Sequence, residues 1–113
     1  MHRVAVETDL HARIVVASGE LDAFAAPDLE SAFGEVRGEP FVVADLDRVG
    51  FMDSTALGLL VRATRELTGS GTQLRVVLPG GMARRIFEIT ALDRALPVAA
   101  TRGAALAELG SAR

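Results

Sequence analysis

The stretch FMDSTALGLL, residues 51–60, sets three small oxygen-bearing side chains, Asp53, Ser54 and Thr55, between an apolar pair and a leucine-rich run. Upstream, FVVADL (41–46) is a short apolar run with β-branched content, the pattern of a central strand. Downstream, Leu57, Leu60, Val61, Thr64 and Leu67 recur at helical spacing, with Arg62, Arg65 and Glu66 facing water. The stretch therefore reads as the junction of a strand and a helix, joined by a loop over 47–53. Gly69 and Gly71 end the helix.

The flanking sequence extends the same alternation. Val4 and Val6 alternate with Arg3 and Glu7, and Ile14 to Ala17 is a nearly continuous apolar run. The polar residues between them, Thr8 to His11, suit a hairpin connection. A loop then leads to Pro27, a good first helical residue, and Leu29, Ala32, Phe33 and Val36 form one helical face before Gly38. LRVVLP (74–79) predicts a further strand, and 82–88 a helix that buries Ala83, Ile86 and Phe87. Residues 96–99 predict a short strand, and Thr101 caps a last helix through Leu109.

This order predicts an α/β domain over residues 1–113. The expected sheet is mixed, with four or five strands, an antiparallel opening pair and about four flanking helices. Phe33, Val43, Leu57, Leu60, Val61 and Phe87 are expected in the core. Loops at strand carboxyl ends are where open α/β sheets usually meet ligands and partners. Both Gly19–Asp22 and Phe51–Thr55 fall there, so Asp22 is expected exposed and close to Ser54.

Composition narrows the chemistry. Half of the 113 residues are apolar, which fits a globular chain. No apolar run reaches the ~18 residues of a membrane span, and no signal peptide pattern opens the sequence. Cysteine is absent, and all twelve basic residues are arginine. That removes thiolate chemistry, Schiff-base lysines and the P-loop lysine. The net charge of −3 argues against non-specific nucleic-acid binding. The expectation is a cytoplasmic protein with no membrane insertion. Charge is uneven, with four Arg against eleven acids in residues 1–53 and eight Arg against four acids thereafter. An acidic first half suits a basic protein partner, or is simply an uneven solvated surface.

Four roles compete for Asp53-Ser54-Thr55. One is a helix cap, in which Asp53 or Ser54 accepts a hydrogen bond from first-turn amides. A second is a nucleophilic serine, but no G-x-S-x-G elbow surrounds Ser54 and no base accompanies it; His2 and His11 belong to the opening hairpin. A third is a receiver-type phosphorylated aspartate, with Asp45 ending a central strand; its lysine is missing. The fourth is a serine that accepts a phosphoryl group from another protein. A helix N-terminus tolerates that added charge, while a partner packed closely against neutral hydroxyls does not.

GELDAFAAPDL (19–29) followed by FMDSTALGLL resembles the anti-sigma factor antagonists, single STAS domains of bacteria. Their pattern is G-E-L-D, then F-M-D-S-[ST]-G-L-G at a helix start. The resemblance covers nearly the whole chain, including Arg84-Arg85-Ile86-Phe87 and the short strand after it. It implies a non-enzymatic regulator whose unphosphorylated form binds an anti-sigma factor and so frees a sigma factor. The anti-sigma factor is also a serine kinase, and a metal-dependent serine phosphatase resets the cycle. Carried over, the phosphorylated residue is Ser54, with Thr55 as the second acceptor. The partner-binding residues are Asp22, Asp53, Ser54, Thr55, Ala56 and Leu57, and no cofactor or metal is implied. Ala56 departs from the family's glycine, and its methyl is a possible obstacle to a close-packed kinase. The same fold also serves as an accessory subunit of lipid-transport ABC complexes, an alternative that needs no phosphorylation cycle.

Overall fold

A computed structural model describes residues 1–110; residues 111–113 of the expected domain lie outside the described residues. Strands β1 (His2–Asp9) and β2 (Ala12–Leu21) form an antiparallel pair. The two-residue turn between them places Leu10 at φ 54°. Then follow α1 (Ala26–Glu35), β3 (Phe41–Met52), α2 (Ser54–Gly69), β4 (Gln73–Val77) and α3 (Gly81–Ile89). A short α4 (Leu92–Ala95), β5 (Val98–Ala99) and α5 (Arg102–Glu108) complete the described chain. The sheet order is β1-β2-β3-β4-β5, and every pairing after the first is parallel.

Alternation along the strands sends apolar side chains to both faces. On one face Val15, Ala17, Val42, Ala44 and Val76 meet Leu29 and Phe33 of α1, Leu60 and Leu67 of α2, and Phe87 of α3. On the other, Ile14, Val43 and Val77 meet Ala105 and Leu106 of α5. Helices on both faces explain why β3 opens on a continuous apolar run between 41 and 44.

Three expectations need correction. The 47–53 loop is mostly strand: β3 continues to Met52, because β2 still offers ladder partners as far as Leu21. Two register shifts accommodate the extra β3 residues, which a period-2 reading cannot follow. Val61 is half-buried, while Leu59 and Ala63 are buried in its place. Helix α1 lies on the Leu59 side and rotates the covered stripe, leaving Val61 beside Leu92 and Leu96. The five helices among the described residues agree with the expected set of about four, α4 being a single turn. Within the third predicted helix, Ala83 and Phe87 are buried but Ile86 only half so.

Candidate functional site

Two loops meet at the carboxyl ends of β2 and β3. Leu21 pairs with Met52, both buried, and the Asp53 amide donates to the Leu21 carbonyl at 3.1 Å. That bond continues the ladder one step past the strands and sets Asp22 and Asp53 side by side, although 31 positions separate them in sequence. On the other side of β2, Gly19 lets the start of β1 lie close. Its φ is +80°, and a Cβ there would stand 2.2 Å from the Met1 carbonyl oxygen. The glycine of G-E-L-D is thus required by the backbone.

Each acid has local work. Asp53 is the N-cap of α2, with extended backbone, and its Oδ1 accepts from the Ala56 amide at 2.9 Å. Asp22 Oδ1 accepts from the amides of Phe24 (3.0 Å) and Ala25 (3.2 Å), closing the turn before α1. Asp22 is half-buried rather than exposed as expected, because it is folded into that turn.

Ser54 and Thr55 occupy the first two positions of α2 and are exposed. Their hydroxyls make no hydrogen bond among the described residues. Amides in a helix's first turn have no intrahelical acceptor, and Asp53 takes only that of Ala56. The site therefore presents two free hydroxyls on a helix N-terminus, where negative charge is stabilised. Ala56 is wholly buried and Leu57 nearly so. Their side chains pack into the core at the start of α2. The Ala56 methyl faces the core.

The histidines are engaged elsewhere: His2 Nε2 lies 2.7 Å from Asp28 Oδ2, and His11 Nε2 lies 3.1 Å from the Leu109 carbonyl oxygen. Among the described residues no group of three His, Cys, Asp or Glu side chains is placed to hold a metal ion.

Sequence reasoning missed three exposed apolar side chains. Phe24 is 87% exposed in the loop after β2, Phe51 is 51% exposed at the end of β3, and Met82 is 82% exposed in the first turn after β4. All three lie on segments that leave the same edge of the sheet. Large apolar residues inside or beside two polar loop motifs were the available signal, since exposed apolar groups cluster at contact sites.

The STAS domain family matches residues 3–105. An anti-sigma-B factor antagonist of Staphylococcus aureus is 35% identical over 80 residues, covering 69% of this chain and 74% of that protein. The protein of the same description in Listeria monocytogenes is 34% identical over 99 residues, covering 86% of this chain and 85% of its own. Among solved structures, an anti-sigma factor antagonist from Mycobacterium paratuberculosis superposes with a TM-score of 0.86 at 35% identity, over 96% of this chain and 94% of that one.

Proposed function

The chain belongs to the STAS domain family, and on that premise we propose that it is an anti-sigma factor antagonist switched by phosphorylation at Ser54. The observation that carries the reading is the exposed Ser54 hydroxyl at the first position of α2, beside a capping carboxylate. Unphosphorylated, the start of α2 offers a partner two neutral hydroxyls. The partner is an anti-sigma factor that is also a serine kinase, and its capture frees a sigma factor. The chain is then the kinase's substrate and not itself an enzyme. Thr55 is only the fallback acceptor, to be assigned if the phosphate is not found on Ser54.

Phosphorylation adds about −1.5 to −2 charges. First-turn amides and the helix dipole stabilise that charge within the fold, so the domain need not rearrange. In a contact that excludes water, the same charge beside Asp53 is costly. Partner release follows from that difference, and a serine phosphatase restores binding. This cycle places the protein in the cytoplasm, where ATP and sigma factors are found; no helix among the described residues is long and apolar enough to cross a membrane.

The test is to mix the protein with an anti-sigma factor kinase from the same genome and ATP, then to locate the phosphate by mass spectrometry. Phosphate is expected on Ser54. Ser54→Ala should stay bound in the presence of ATP, and Ser54→Asp should bind about tenfold or more weakly, with unchanged circular dichroism. Equal affinities for the two variants would overturn the switch and favour the transporter-subunit reading.

A further inference from the structure

Helix α5 covers only part of its sheet face. Beyond it lies an open cavity of about 470 Å³, lined by residues that include Arg3, Val16, Ser18, Asp45, Arg48 and Arg102. Its floor follows from strand register. Arg3 pairs with Ser18 and Ser18 with Arg48, so the two arginines flank a hydroxyl in one row across three strands. The next row is Ala5, Val16 and Asp45, about 7 Å along the strands at the usual rise per residue.

The two ends of the cavity carry opposite charge. Of the strand arginines, Arg13 is paired with Glu35 and Glu39, and Arg75 with Glu108. Arg3 and Arg48 have no carboxylate partner among the described residues. At the other end, Arg102 alone serves Glu7, Asp9 and Asp45, at 2.7, 3.4 and 3.0 Å. One guanidinium against three carboxylates leaves that end negative. Asp47, also at the cavity, lies between the extremes in sequence and is not held by Arg102. Ala5 and Val16 provide a small apolar floor.

We propose that this cavity binds a small zwitterion, a phosphate monoester that also carries an ammonium group. The phosphate sits between Arg3 and Arg48 and accepts from the Ser18 hydroxyl. The ammonium group points toward Asp45 and Glu7. Two like-charged guanidiniums on one row repel each other until an oxyanion bridges them, and charge-assisted bonds to phosphate are the strong class. A simple polyanion fits poorly, because the carboxylates at the far end and Asp47 oppose it.

Nitrogen-15 NMR titration of the full chain with phosphoethanolamine tests this, with inorganic phosphate, ethanolamine and sodium chloride at matched ionic strength in parallel. Expected are shifts at Arg3, Ala5, Val16, Ser18 and Arg48, and binding about tenfold tighter than inorganic phosphate. Arg48→Gln and Arg3→Gln should each weaken binding about tenfold, whereas Arg62→Gln, on the far side of α2, should not. Matching affinity for inorganic phosphate would overturn the zwitterion. Shifts confined to Ser54–Ala56, shifts reproduced by sodium chloride, or equal loss in Arg62→Gln would overturn the site. None of these outcomes bears on phosphorylation at Ser54.

Discussion

At Asp53 the capping and the regulatory readings apply to neighbouring atoms. Its carboxylate holds the Ala56 amide, while the residue after it offers a free hydroxyl. Asp53→Ala should therefore cost about 1 kcal/mol in a denaturant titration, as loss of an N-cap does. Asp22 calls for a revised expectation. Read as an exposed contact residue, it would be removable without thermal effect. Its bonds to the Phe24 and Ala25 amides predict instead a loss of about 1 kcal/mol for Asp22→Ala, alongside weaker partner binding. An unchanged melting temperature would show that the turn does not need the carboxylate. Phe24 is the cleaner probe of the surface. Being 87% exposed, Phe24→Ser should move stability by no more than about 0.5 kcal/mol, yet lower affinity for the anti-sigma factor measured by calorimetry.

Among the elements, α2 and the end of β2 decide whether the site exists. Leu60 is fully buried at the centre of the α2 stripe, so Leu60→Ala should destabilise the fold by ~2–5 kcal/mol. Gly19 is the corresponding weak point of β2. Its left-handed backbone and the 2.2 Å approach to the Met1 carbonyl predict that Gly19→Ala costs about 1–3 kcal/mol. Because Gly19 lies two residues before Leu21, it should also disturb the Leu21–Asp53 bond. Loss of protection at the Asp53 amide in hydrogen exchange would report that. Protection equal to the parent would mean that β2 absorbs the strain elsewhere.

Across the whole molecule, the uneven charge is partly spent inside the fold. Arg102, from the basic half of the chain, binds Glu7, Asp9 and Asp45 of the acidic half and pins α5 to β1 and β3. Partial burial alone would lower the Arg102 pKa, but hydrogen bonds to Glu7 and Asp45 and their charges outweigh it and hold it above its ordinary value. Arg102→Ala would leave Asp45, with a side chain only 12% exposed, without its cation. The expected cost is about 1–3 kcal/mol, read as a lower urea midpoint that Arg102→Lys only partly restores.

The sequence by itself determined the order of the principal elements, the antiparallel opening pair and the place of Asp53-Ser54-Thr55 at the start of α2. Each depends on local periodicity, on glycine, or on short polar side chains at a helix end, and these act within a few residues. Tertiary structure decided what depends on distant neighbours. It extended β3 to Met52 because β2 was there to pair with it. It turned Val61 partly outward because α1 packs beside Leu59, and it sent the Ala56 methyl into the core. It also left Phe24 and Met82 bare. Exposure and pairing are properties of the assembled sheet, since a residue's periodicity records only which side of its own element it occupies.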